Sequence, residues 1–150
     1  MFVPKRILVP TDFSKYSSLA LKHAVEIAKQ YQAEVHLLHV IDEKLHRCLV
    51  DYCISDAVME QIAKESVKTA TDKLQQEALR MTDANPGVEI FYKVRQGIPD
   101  EEIINEQEEK KIDLIVIASH GKTESPTHLI GSIAEKVLQG AKSQVFLVKS

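Results

Sequence analysis

Residues 113–132 read DLIVIASHGKTESPTHLIGS, and the rest of the chain is laid out around them. Leu114 to Ile117 is a short unbroken apolar run, which predicts a strand buried on both faces of a parallel sheet. From Ile133 to Leu138 apolar residues recur at helical spacing, with Gly131 and Ser132 placed where that helix begins. The loop between them carries Gly121 and Lys122. Strand, glycine-bearing loop and helix start form a layout suited to anions. Glycine lets backbone come close, and the unpaired N–H groups of a helix start point outward with the positive end of the dipole behind them. The loop is not a Walker A motif, since Gly121-Lys122-Thr123 lacks the earlier glycine and Pro126 interrupts any helix after it. Nor is it GxGxxG. Taken alone, it also fits an ordinary strand-to-helix connection.

Working outward, Arg6 to Val9 predicts a first strand ended by Pro10, Thr11 and Asp12. Ser14 is placed to cap a helix running to about Tyr31. A second strand is expected over Ala33 to Val40. His36 and His39 lie in it at odd spacing, on opposite faces, and both read as structural. Residues 41–54 read as an irregular excursion. From about Ser55 to Met81 the apolar positions step by three and four, the pattern of one long amphipathic helix. Asp83 to Gly87 stops it, and VEIFYKV at 88–94 alternates as a third strand. Pro99 opens a further helix with Asp100, Glu101 and Glu102 in its first turn. The strand at 113–117, the helix to about Leu138 and a last strand, Gln144 to Val148, complete the order. Strands joined by helical crossovers argue for a five-stranded parallel α/β sheet covered on both faces.

Composition sets the class. The chain has 150 residues, 44% of them hydrophobic and 27% charged, which suits one globular domain over 1–150 and argues against disorder. Nineteen basic and 22 acidic residues give a net charge of −3 with no basic block, so neither a nucleic-acid groove nor an anionic membrane patch is indicated. No apolar run approaches the ~20 residues that cross a bilayer, and the N-terminal stretch lacks the layout of a signal peptide, so the cytoplasm is expected. Cys48 and Cys53, with His46 nearby, lack the Cys-x2-Cys spacing and second pair of a zinc site. They read as two reduced thiols in a linker.

Ala118-Ser119-His120-Gly121, nine residues, then Gly131-Ser132 resembles the nucleotide motif of the universal stress protein family, Gly-x-x-Gly-x9-Gly-Ser/Thr, with Ala118 at the first glycine. The resemblance extends over nearly the whole chain: ILVPTDFS at 7–14, LLHVID at 37–42 and QGIPDEEII at 96–104 look like the family's opening strand, second strand and third helix start. Gln144 departs from it, where proline usually precedes the last strand. Ser125 and Pro126 in the motif loop depart too. The resemblance implies a flavodoxin-like, Rossmann-like sheet of order 3-2-1-4-5 and a site for ATP, with Mg²⁺ or Mn²⁺ as a companion. In that site Asp12, following Pro10 and Thr11, would bond the ribose. Val40 would hold adenine through its backbone. Gly121, Gly131 and Ser132 would take the phosphates, with Ala118 beside the ribose-phosphate and His120 and Lys122 in the same loop. It also implies a homodimer through the C-terminal strand, together with protein partners of unknown kind.

Asp12 at a strand end could serve as a general base, a metal ligand or a ribose acceptor; without the resemblance, a helix cap is the favoured reading. A response regulator shares the topology but needs an aspartate after the third strand, where this chain has Val94-Arg95-Gln96-Gly97. No catalytic set is evident. SGGxDS and HxGH loops are absent, and Ser119 and His120, as neighbours in an extended segment, are expected to point apart. The reading is a binding protein with at most slow hydrolysis. The alternative is a family member that binds no nucleotide and works through dimerisation and protein partners.

Overall fold

The computed structural model describes residues 1–122 and 129–149, apart from the side chains of Leu45, His46 and Leu49. In chain order the elements are β1 (Arg6–Pro10), α1 (Lys15–Tyr31), β2 (Glu34–Asp42), α2 (Lys44–Asp51) and α3 (Asp56–Ala84). There follow β3 (Ile90–Gly97), α4 (Pro99–Glu109), β4 (Leu114–Ala118), α5 (Ser132–Gly140) and β5 (Gln144–Val148). The strands form one parallel sheet in the order β3-β2-β1-β4-β5. This is the expected flavodoxin-like topology.

Alternation along the central strands divides the core into two layers. Ile7, Val9, Val35, Leu37, Leu114 and Val116 face α1 and pack with Ala20, Leu21, Ala24 and Val25 of that helix and Leu74 of α3. Leu8, Leu38, Ile115 and Ile117 face the other way, against Ile103 of α4 and Ala134 and Val137 of α5. Ile7, Leu8 and Val9 are all fully buried, which is why β1 reads as an unbroken apolar run.

Two helix starts, at Ser14 and Pro99, follow the sequence signals, and the structure adds a cap at Ser55. The Ser14 hydroxyl accepts from the Ser17 N–H at 3.2 Å, and Ser55 caps α3 in the same manner. Pro99 lies in the first turn of α4 with three acidic residues beside it. Other boundaries move. β2 continues two residues beyond Val40, and β3 spans Ile90–Gly97 rather than 88–94, because the two strands pair without interruption from Val35↔Ile90 to Asp42↔Gly97. The expected irregular excursion at 41–54 is corrected most. After the last two residues of β2 it contains α2, whose start at Glu43 has no side-chain cap and is held by an Arg47–Glu43 ion pair one turn apart at 2.7 Å. Cys48 and Cys53 are both exposed, the first inside α2 and the second just past its end. The proposed interruption by Ser125 and Pro126 lies outside the described residues.

Gln107 joins the last two elements to α4. Although almost fully buried, its Oε1 accepts from the Lys142 N–H, the Ser143 N–H and the Ser143 hydroxyl at 2.9–3.2 Å, closing the turn between α5 and β5. Gln107→Ala should therefore lower the unfolding free energy by about 1–3 kcal/mol, the cost of leaving part-buried donors without their acceptor. Urea denaturation monitored by circular dichroism measures it. A loss too small to resolve would mean that water satisfies the turn equally well.

Candidate functional site

β1 and β4 are neighbours, yet they pair only at Ile7↔Leu114 and Leu8↔Ile115. Beyond those residues they part, while β1 stays in register with β2 through Pro10↔Leu38. Pro10 carries no N–H for the ladder, which suits it to a strand end where pairing stops. The consecutive chain segments leave these strands towards opposite faces of the sheet, so a crevice opens at the carboxyl ends, the position where such sheets take ligands.

A cavity of about 270 Å³ occupies that crevice. Of the ten residues singled out in the sequence, nine line it: Pro10, Thr11, Asp12, Val40, Ala118, His120, Gly121, Lys122 and Gly131. Ser132 does not line it, and begins α5 directly behind Gly131. One wall is apolar, formed by Leu38, Val40, Ile103, Ile117, Ile133 and Pro99. The other is polar and centres on Asp12.

Asp12 is held from several directions. Its Oδ1 accepts from the Ser14 N–H at 3.0 Å and the Ser17 hydroxyl at 3.1 Å. Its Oδ2 accepts from the Lys122 N–H at 2.8 Å, across the crevice. The Thr11 hydroxyl donates to Ser17 Oγ at 2.9 Å, so a short chain of hydroxyls leads into the carboxylate. Burial by itself would raise the Asp12 pKa. The hydrogen bonds from Ser14, Lys122 and Ser17 outweigh burial and hold it below its ordinary 3.8. Asp12 therefore braces the turn in front of α1, whose cap is Ser14, and also forms a wall of the cavity.

Gly121 is required by closeness rather than by φ. A Cβ built there would stand 2.7 Å from Asp12 Oδ2, a carboxylate with little freedom to move. Ala118, in the position of the motif's first glycine, lies in regular β4 and is not among the described residues with positive φ. Its methyl group packs on the α1 side, against the layer containing Leu114 and Val116. Gly131 donates its N–H to the Ser119 carbonyl at 2.6 Å and supplies no side-chain cap to α5. The start of α5 thus faces the cavity with backbone donors uncovered by a side chain of its cap residue.

Two sequence readings change. β4 ends at Ala118, so Ser119 and His120 are not strand neighbours pointing apart: Ser119 Oγ and His120 Nδ1 are 2.9 Å from each other. Ser119 is 1% exposed, at the back of the cavity lining. His39, read as structural, lines the cavity. Burial chiefly holds its pKa below the ordinary 6.5, with Lys122 and Lys73 acting in the same direction against the Thr11 carbonyl and Asp12. The sequence also missed Ser17, Asp42, Ile103 and Ile133 as lining residues. Only their places one turn inside α1, at a strand end or near helix starts could have signalled them. Among the described residues no group of three or more His, Cys, Asp or Glu side chains is placed to hold a metal, and His46 has no described side chain.

A parallel α/β sheet with a half-apolar, half-polar crevice at its switch point defines a domain of the flavodoxin-like class. Residues 4–149 match the profile of the Universal stress protein family, and the chain belongs to that family. It is 37% identical over 145 residues to Universal stress protein MJ0531 of Methanocaldococcus jannaschii, covering 97% of this chain and 82% of that one. With MJ0577 of the same organism the identity is 35% over 153 residues, covering 97% and 94%. The solved structure of MJ0577 superposes with a TM-score of 0.85 at 32% identity, over 99% of this chain and 98% of that one. More distant solved members include a universal stress protein in complex with cAMP, at a TM-score of 0.72 and 20% identity over 99% and 98% of the two chains. Another is the Archaeoglobus fulgidus protein in complex with dAMP, at 0.68 and 19% over 99% and 100%. These last two share the fold.

The lowered Asp12 pKa has a defined consequence for acid stability. A carboxyl whose folded pKa is depressed contributes stability that is complete above its unfolded pKa and is lost as pH falls through the folded value. Asp12→Asn should be less stable than the wild type at neutral pH, and the difference should shrink as pH drops below 3.8. Urea unfolding of both proteins across that range tests it. A gap that stays constant with pH would show that the Asp12 charge contributes nothing.

Proposed function

We propose that this chain is a cytoplasmic stress protein that binds ATP at the β1–β4 crevice as a regulatory ligand, binding rather than turnover being its role. The observation that supports it best is the pairing of an apolar slot with a polar end in one cavity at the switch point. The slot, between Val40 and Ile103, suits a base. The end formed by Gly121, Lys122 and the start of α5 suits phosphates. Asp12, between the two, is placed for ribose hydroxyls and is held ionised as an acceptor. The solved relatives in complex with cAMP and dAMP favour an adenine nucleotide. Mg²⁺ or Mn²⁺ would be bound chiefly through phosphates and water, as is usual for a nucleotide-borne cation.

Adenine is favoured over guanine in this reading. A backbone N–H and C=O near Val40 match adenine N1 and the N6 amino group, whereas guanine presents the reverse pattern and strands both groups at ~1–3 kcal/mol each. Isothermal titration should give a saturable ATP isotherm and GTP binding weaker by about tenfold or more. Gly131→Asp places a capping carboxylate over the N–H groups of α5, and should weaken ATP by roughly ten- to a hundredfold, the equivalent of one or two charge-assisted hydrogen bonds. Ala118→Gly should leave affinity within about twofold, since the methyl packs on the core, while costing about 0.5–1 kcal/mol of stability. No heat of binding in either wild type or Ala118→Gly refutes the nucleotide reading.

The same proposal includes a homodimer through β5. That strand is an edge of the sheet, paired with β4, and Phe146 is exposed on it. No charge or proline within QVFLV discourages pairing with a second copy, which would form a closed two-fold interface. Light scattering after size exclusion should show twice the monomer mass, reduced in Phe146→Asp. A monomer at high micromolar concentration rules the interface out.

A further inference from the structure

His39 touches both residues that flank Asp12. Its Nδ1 lies 2.8 Å from the Thr11 carbonyl oxygen. Because that oxygen only accepts, Nδ1 carries the proton, and the neutral imidazole is held in its Nδ1–H form. On the other side of Asp12, the Phe13 ring packs on the same imidazole with centroids 4.5 Å apart and planes tilted by 34°. Phe13 has φ of 65°, a left-handed conformation that a residue with a Cβ adopts only when its surroundings enforce it. His39 and Lys73, whose Nζ lies 5.2 Å from the Phe13 ring centroid, hold that ring, and the Phe13 N–H donates to Thr11 Oγ1 at 3.0 Å. The turn carrying Asp12 is therefore clamped at the residue before it and at the residue after it by one side chain from β2. The Ser14 and Lys122 N–H groups meet the carboxylate only if that turn keeps its shape.

We infer that His39 is the positioning residue of the crevice, fixing the Thr11–Phe13 turn so that the Asp12 carboxylate stays aimed into the cavity and bonded across it to Lys122. Neither the strand pattern nor the nucleotide motif assigns it this role. Only the affinity part of its test rests on the ATP reading. Two substitutions separate the contacts of the ring. His39→Phe keeps an aromatic face for Phe13 and removes the donor. His39→Asn keeps a donor at the position of Nδ1 and removes the face. His36→Phe serves as control, since His36 lies on the opposite side of β2 against Phe91.

Amide hydrogen exchange on the unliganded protein at neutral pH reads the turn directly. In His39→Phe the Ser14 and Lys122 amides should exchange about tenfold faster, the effect of losing one buried hydrogen bond, with β1 and β2 amides unchanged. His39→Asn should restore at least part of that protection, and His36→Phe should alter neither amide. ATP affinity, measured in parallel, should fall about tenfold in His39→Phe and less in His39→Asn. Unchanged exchange at Ser14 and Lys122 in His39→Phe overturns the assignment, as does a uniform loss of protection through α1 and β2. Should His39→Phe fail to fold, ¹⁵N shifts of the wild-type imidazole decide: Nδ1–H supports the clamp, and Nε2–H refutes it. If the wild type binds no ATP, the nucleotide reading falls and the exchange data alone judge His39.

Discussion

A hydrogen bond from the Lys122 N–H to Asp12 Oδ2 spans the place where β1 and β4 cease to pair. It joins residues 110 positions apart and does for the open end of the sheet what ladder bonds do lower down. Several local features follow from it. Gly121 must lack a side chain, because a Cβ would occupy the space of the carboxylate oxygen. Asp12 must remain ionised at neutral pH despite its burial, and the donors gathered around it ensure that. Ser17, buried within α1, spends its hydroxyl on the same carboxylate and on the Ser14 carbonyl. The crevice is thus a gap in the sheet kept at a set width by a charge and its donors.

The far wall of the crevice depends on a different kind of interaction. α4 supplies Pro99 and Ile103, and it is tied to β3 by Arg95, which donates to Glu102 and Glu106 at 3.1 Å each and also bonds Glu109. Lys93 adds bonds to Glu106 and Glu109 at 3.4 Å. Glu106 is 2% exposed, so its charge is tolerable only with both cations in place. Such a cluster contributes little net stability compared with an apolar replacement, but it admits few alternative placements of α4. It also leaves β3, one edge of the sheet, bearing cations that disfavour pairing with another strand, while β5 at the opposite edge bears none.

The parallel sheet, the cap at Ser14 and the helix start at Pro99 were legible in the residues because each depends on a local rule: a buried strand is apolar throughout, a cap needs an oxygen, a first turn tolerates proline. Gly121 and Gly131 stood out through the strand-loop-helix layout, whereas the place of Asp12 in a site came from the family resemblance. α2 was not, since it lacks a capping side chain and sits between stretches of ordinary loop composition. The family resemblance named the strand ends that converge, and the fold placed nine of the ten chosen residues around one cavity.

What the sequence by itself determined is therefore the set of elements other than α2 and the chemistry available at their ends, because periodicity and capping act within a few residues. Tertiary structure alone decided three things. It turned the Ala118 methyl towards the α1-side core, brought the Lys122 N–H onto Asp12, and changed His39 from a strand residue into the support of a turn. Each depends on where β1, β2 and β4 lie relative to one another beyond their last paired residues. That distance is set by packing on both faces of the sheet, and no spacing along the chain encodes it.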